Sequence, residues 1–519
     1  MLISLIFAFA LAGCAFTQQI WDVWETTWDR RSLLTRKPLS TPINFAATNS
    51  LQSTHITISD STVYQTILGF GATLTDASAN LLNDMKGKNS NNYWNLLRQS
   101  FDMTDGANAA GLSYIRVALG ATDFSASVYS YDDSTSDNIL SNFYVNNAPW
   151  YLFSVLRDIL SVNSRIMVHL VPWSPPAWMK TSGSMNGGSL IDGYISVYPT
   201  YLLKAVQGFS GKGVPIYAIS IQNEPLYSTN SYPSCWMPAA TEAQIGRTLR
   251  TLLDNNGYSS VRVIAYEHNW NNAATYPVEV MQGARDSFAG ASFHCYEGSV
   301  GLQESFHSAY PDKEIYFTEC SGTLGSDWWQ DIKWYMDNLW IGSLEHWAKT
   351  GLMWNFALDG NGNPRLPGSN SCSAGCRGVV TINNDGSYSF NQEYYSMAQA
   401  SKAIIPKDWG GPFGQRIGVT VGGSNSWALR VGAYATGRAS ASDWVRYSLV
   451  VLNWDDSASS TWNPVPVTAS IQFRGVQATY TFPVGVTTLW WFAAPLTSRH
   501  TVRSQWMSTN TTLANSTNC

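Results

Sequence analysis

The chain has 519 residues, a formal net charge of -5 and only 13% charged residues, which argues against a basic nucleic-acid face and against a polybasic lipid-binding segment. Its length accommodates a large core divided between two domains, since a β/α barrel absorbs far more chain than an average domain. With 23 tryptophans and 26 tyrosines it suits an uncharged ligand with apolar C–H faces and hydroxyl rims, as sugars have, although large barrels also bury many aromatics for packing.

Residues 1–18 read as a cleaved secretory signal, an apolar run too short to span a bilayer and ending in small residues. The L-A-G-C stretch ending at Cys14 offers a lipoprotein site as the alternative, but no Lys or Arg precedes it. Loss of the signal leaves Cys235, Cys295, Cys320, Cys372, Cys376 and Cys519. An even number in an exported chain permits disulfides. Cys372 and Cys376, close together in a Gly/Ser/Asn-rich loop, are the expected bridge; the alternative, half of a zinc site, lacks a Cys/His pair nearby. No metal, cofactor, nucleic-acid partner or transmembrane segment is expected, and the chain is expected to be a secreted monomer.

Two strands, 20–27 and 55–58, precede a long alternation of strand-like and helix-like runs. The strand-like runs are 67–73, 114–120, 165–171, 216–222, 261–266, 291–296, 315–319 and 351–356. Helical periodicity covers 150–160, 196–209, 241–255, 327–349 and 394–405. Eight parallel strands close a TIM barrel. After residue 405 the pattern changes to short strands broken by Gly, Asn, Asp and Pro: 416–421, 426–434, 446–454, 468–473 and 478–492. The expected fold is therefore α/β, a (β/α)8 barrel over 66–405. An antiparallel β-sandwich is built from 19–65 and 406–499. Residues 500–519 are Ser/Thr/Asn-rich, with glycosylation sequons at Asn510 and Asn515, and are expected to be disordered.

Polar and aromatic residues gather where the barrel's apolar runs stop. The fourth run, P-I-Y-A-I-S-I-Q, is halted by Asn223, Glu224 and Pro225. Pro225 cannot donate to a sheet and biases Glu224 toward extended backbone. Other ends carry Asp76, Arg116 followed by Thr122-Asp123-Phe124, Trp173 with Trp178, His294 with Tyr296, Glu319, and Trp354 with Asn355. A single strand-end glutamate is more often a solvated or salt-bridged residue. Seven strand ends converging on one barrel mouth favour a site.

Two carboxyls facing across a barrel suit glycoside hydrolysis. One protonates the departing oxygen while the other attacks the anomeric carbon, and retention requires them about 5–5.5 Å apart. Strands four and seven lie opposite each other, so Glu224 and Glu319 can meet. Glu319 is expected to stay ionised beside Arg116, Glu224 to be protonated at the working pH, and Asn223 to bind the sugar 2-hydroxyl.

The ordered motifs F-G-A-T-L-T-D-A (70–77), I-R-V with D-F-S (115–125), P-W-S-P-P-A-W-M-K-T-S-G-S-M-N-G-G-S-L (172–190), Q-N-E-P-L-Y (222–227) and F-T-E-C (317–320) resemble glycoside hydrolase family 30. This resemblance spans about residues 20–495. It implies a retaining β-glycosidase with Glu224 as acid/base and Glu319 as nucleophile. Asp76, Trp173, Asn223, His294, Tyr296 and Trp354 would line the sugar subsite, with Arg116 beside the nucleophile. Within the family the chain is more similar to secreted fungal β-1,6-glucanases. It lacks the cysteine-rich start of lysosomal glucosylceramidases, whose cysteine near the nucleophile lies one place beyond the position of Cys320. Endo-acting β-1,6-glucanase is the favoured expectation, glucosylceramidase the alternative, and an inactive sugar-binding barrel the third reading.

Overall fold

Every apolar run expected in the barrel forms a parallel strand. In the computed structural model, which describes residues 18–47, 50–456 and 462–496, the eight are Gly69–Leu74, Tyr114–Leu119, Met167–Pro172, Ile216–Ser220, Arg262–Asn269, Gly290–His294, Glu314–Glu319 and Thr350–Asn355. They pair in chain order, and the eighth pairs with the first. An isolated bridge between Ile315 and Ala348, with Lys349 N–H donating to Ile315 O at 2.8 Å, closes the seventh strand against the eighth. Nearly all strand residues are buried, as expected where helices cover the outside and side chains fill the inside.

The anticipated helices appear at Trp150–Val162, Tyr198–Gly211, Ala239–Asn255 and Gln392–Ile404. The expected long helix 327–349 is instead Trp328–Trp334, a π-turn Tyr335–Trp340, and Gly342–Glu345. Asp327 caps its start by accepting from the N–H groups of Trp329 and Gln330. Four further helices were not anticipated: Asp76–Lys88, Ser90–Phe101, Tyr276–Ala284 and Gln303–Ala309.

The second domain is built, as expected, from both ends of the chain. Strand Gln19–Thr27 pairs antiparallel with Gly485–Ala493, which continues through Val445–Asn453, Leu429–Thr436, Gln415–Gly423 and Thr54–Thr66 to Val467–Phe473 and Val476–Phe482. The sheet folds over a core that includes Ile56, Ile417, Leu449, Ile471 and Trp491. It departs from the antiparallel expectation at one junction, since Thr54–Thr66 and Val467–Phe473 run parallel. The single strand expected over 478–492 is two, interrupted at Pro483, which has no N–H to give a ladder. Helix Gln392–Ile404 lies between the domains. Its Gln399 donates to Thr26 and accepts from Thr488, and Lys402 sits 3.7 Å over the Trp24 ring.

The Cys372–Cys376 bridge is present, and a second joins Cys295 to Cys320. Cys235 is unpaired and buried. The signal segment, Cys14, Cys519, both sequons and the tail lie outside the described residues. Among the described residues no helix is long and apolar enough to cross a membrane.

Candidate active site

Arg116, in the middle of the second barrel strand, has no exposed surface, so every guanidinium proton must find a partner or remain costly. Its Nη1 donates to Glu319 Oε2, and Nη2 donates to Asn223 Oδ1 and, at 3.1 Å, to Glu267 Oε2. One side chain thereby gathers the ends of strands four, five and seven. The guanidinium also lies 4.8 Å from the Trp173 ring and 5.8 Å from that of Trp354. These two rings stack at 4.9 Å and 23°, forming an aromatic wall.

Glu319 ends the seventh strand and accepts a 2.9 Å hydrogen bond from the Tyr296 hydroxyl at Oε1. Glu224 lies beyond the end of the fourth strand, but its backbone is not extended. It is left-handed, with φ 45°. The preference imposed by Pro225 is overridden because Glu224 N–H donates to Glu267 O at 2.9 Å and Tyr227 N–H donates to Glu224 O at 2.8 Å. Such a backbone costs of order 1–3 kcal/mol and persists where its surroundings over-determine it. Oxygens of Glu224 and Glu319 lie within 4.8 Å of each other and of a His294 nitrogen.

His294, at the end of strand six, bridges two carboxylates. Nδ1 is 3.2 Å from Glu224 Oε1 and Nε2 is 3.2 Å from Glu267 Oε2. Only the imidazolium can donate to both. Burial opposes that charge, but the nearby Glu319 anion and the hydrogen bonds to Glu224 and Glu267 raise the His294 pKa to about 9. Burial likewise works to raise the Glu224 pKa. The His294 hydrogen bond and charge, with His268 and Arg116 behind them, outweigh it and hold Glu224 below the ordinary value. The shared proton therefore rests on His294, and Glu224, expected to be protonated, is ionised beside it.

Sequence reasoning missed Glu267 and His268 on the fifth strand and did not select Asp123 as a site residue. Tyr266 and Glu267 both have positive φ, 80° and 49°, at a bulge where the register with strand six slips. The bulge re-aims Glu267 into the barrel. There its carboxylate also accepts from Ser220 and Thr318, each at 2.7 Å. Despite complete burial, Arg116 and then the hydrogen bond from His294 keep Glu267 ionised well below the usual range. The run Y-E-H-N at 266–269 was the available signal, three hydrogen-bonding residues after an apolar stretch.

Asp123 is buried, and its Oδ1 has no hydrogen-bond partner. Burial, opposed by a Ser371 hydrogen bond and reinforced by Glu319 and Glu224, lifts it to about 7. Asp76 sits at the start of its helix and accepts from Ser125 at 2.6 Å and Tyr129 at 3.0 Å. Burial nonetheless raises it to about 6. Trp178 points elsewhere, donating to Asp132 O at 2.9 Å.

Glu224, His294 and Glu319 also form a group of three ligand-capable side chains whose donor atoms lie within 4.8 Å of one another. Both His294 nitrogens are already engaged by carboxylates, and Glu319 is engaged by Arg116 and Tyr296. That donor set fits a proton-sharing carboxylate pair better than a cation site.

Residues 67–403 match the glycosyl hydrolase family 30 TIM-barrel domain. An endo-1,6-β-D-glucanase of Neurospora crassa is 32% identical over 409 residues, covering 76% of this chain and 80% of its own. One from Trichoderma harzianum is 31% identical over 355 residues, covering 65% and 69%. The lysosomal acid glucosylceramidase of Mus musculus is 26% identical over 340 residues, covering 60% and 63%. A solved endo-β-1,6-glucanase superposes with a TM-score of 0.77 at 26% identity, over 92% of this chain and 99% of its own. Matched from its first barrel strand into its last barrel helix, the chain belongs to glycosyl hydrolase family 30.

Proposed function

We propose that the protein is a secreted, retaining endo-β-1,6-glucanase in which Glu319 is the nucleophile and Glu224 the acid/base. The observation that carries the reaction is the approach of Glu224 and Glu319 oxygens to within 4.8 Å, which supports the carboxyl spacing of about 5–5.5 Å of retaining enzymes over the roughly 6.5–9.5 Å of inverting ones. The Glu319 carboxylate attacks the anomeric carbon and the bond to the leaving glucan breaks. His294 passes its proton through their 3.2 Å contact to Glu224, which delivers it to that oxygen and is left ionised. Glu224 then takes a proton from water, whose oxygen displaces Glu319 and releases a sugar of unchanged configuration.

Asn223, held by Arg116, is assigned to the sugar 2-hydroxyl. Asp76, Tyr296, and the Trp173 and Trp354 wall are assigned to the rest of the subsite, and the unpaired Asp123 oxygen offers a further acceptor. The substrate reading is supported by the two endo-1,6-β-D-glucanases above 30% identity. Secretion is supported by the apolar start and the two disulfides. Product analysis on β-1,6-glucan, β-1,3-glucan and glucosylceramide tests the assignment. Gentio-oligosaccharides are expected from the first. Glucose alone would indicate exo action, and ceramide release would replace the substrate reading. Glu319→Gln should abolish hydrolysis while leaving the fold intact; unchanged turnover would remove Glu319 from its role.

A further inference from the structure

A groove away from the catalytic carboxylates lies on the seam between the two domains. The helix Trp328–Trp334 and the π-turn Tyr335–Trp340 leave the mouth after strand seven and descend the outside of the barrel, so what they expose faces sideways. From this side come Gln330, Lys333, Trp334 and Asp337; from the sandwich come Trp427 and Trp454. They line an open, shallow groove of about 460 Å³, within the range of roughly 300–1,000 Å³ common to small-molecule sites.

Seam packing accounts for Trp454, which lies against the core and donates to Trp427 O at 2.6 Å. It does not account for the other two indoles: Trp427 is 53% and Trp334 41% exposed. Single exposed aromatics are ordinary, but here two half-bare indoles line one concavity. The charges beside them are paired, Lys333 with Asp456 at 2.6 Å and Asp337 with Arg430 at 2.7 Å, Arg430 being shared with Glu345 at 2.6 Å. The groove thus offers flat apolar faces, indole N–H groups and the Gln330 amide beside ion-paired side chains, the chemistry that recognises a neutral polyhydroxylated chain.

We infer that this groove is a second glucan-binding site, in which pyranose faces stack on Trp334 and Trp427 while catalysis proceeds at the barrel mouth. It keeps the enzyme on an insoluble polymer between cuts, and its ligand class rests on the glucan reading above. The test compares adsorption of Glu319→Gln protein to insoluble β-1,6-glucan with that of the same protein also carrying Trp334→Ala and Trp427→Ala. Adsorption should weaken about tenfold in the triple variant. With Glu319 intact, the double tryptophan variant should keep its kcat/KM on a short soluble β-1,6-gluco-oligosaccharide. Gln330→Ala, which leaves both rings and the seam in place, should give a smaller loss of adsorption and guards against misfolding of the double variant. Undiminished adsorption in both the triple variant and Gln330→Ala overturns the inference, as does a loss of oligosaccharide kcat/KM equal to the loss of adsorption. Failure of the unsubstituted enzyme to release products from β-1,6-glucan would instead overturn the substrate reading, so the two failures are distinguishable.

Discussion

Replacing Glu267 by glutamine removes one negative charge from the floor of the site while keeping its size; of Ser220, which donates to Oε1, and Thr318, which donates to Oε2, one keeps its acceptor and the other meets the amide nitrogen. The lost charge lies 3.2 Å from His294 Nε2 and 3.1 Å from Arg116 Nη2. An opposite charge at such range moves a pKa by about 1–3, so His294, at about 9 in the native site, should fall to about 6–8. At about 1.4 kcal/mol per pH unit this is roughly 1.4–4 kcal/mol of proton affinity. The Glu224–His294 pair titrates as one system, and its proton is what an unactivated leaving group requires. The assay is kcat/KM against pH on a β-1,6-gluco-oligosaccharide and, in parallel, on a dinitrophenyl β-glucoside, whose departure needs no proton. The alkaline limb should move down by about 1–3 pH units for the oligosaccharide and stay in place for the aryl glucoside. An oligosaccharide limb that does not move would refute the reasoning that Glu267 holds the proton on His294.

For Glu224→Ala, a dinitrophenyl β-glucoside should still form the glycosyl-enzyme, and azide should accelerate its breakdown; equal slowing of both steps with no azide effect would count against the acid/base assignment. Asp76 is raised by burial from 3.8 to about 6, so its favourable neutral form contributes fully below pH 3.8 and is lost as the pH rises through 6. Asp76→Asn should therefore add about 1–3 kcal/mol of stability at pH 7 but little at pH 3.5, while weakening sugar binding. Equal unfolding midpoints for the two proteins at pH 7 would contradict this. The Cys295–Cys320 bridge joins the residues next to Tyr296 and Glu319. Replacing both cysteines by serine should cost about 2–4 kcal/mol of stability and lower kcat more than it raises KM. Unchanged unfolding and turnover would show that the bridge positions neither residue.

The barrel was legible because a parallel strand covered on both faces leaves an unbroken apolar run, and because Glu224, Glu319 and Arg116 interrupt or end such runs. Glu267 was harder to read. It enters the barrel through two consecutive positive-φ residues, Tyr266 and Glu267, a bulge that leaves no mark on hydrophobic alternation. Helix Asp76–Lys88 was hidden by its own composition, D-A-S-A-N-L-L-N-D-M-K-G-K, too polar for a clear apolar stripe. The Cys295–Cys320 bridge depends on strands six and seven bringing His294 beside Glu319, a spatial register that cysteine spacing does not encode. The protonation state of the site escaped for a similar reason, since two carboxylates on different strands decide where His294 keeps its proton.

The pairing of Gln19–Thr27 with Gly485–Ala493 also imposes an order on synthesis. The first strand leaves the ribosome long before its neighbour exists, and the whole barrel, which spans Gly69–Asn355 in its strands, can assemble while that strand waits. A nascent chain that has formed its barrel strands before Gly485–Ala493 is made carries an open sheet edge at Gln19–Thr27, the kind of edge that recruits other chains. The closing strand acts as a latch: it follows the barrel in the chain and covers the exposed backbone of Gln19–Thr27.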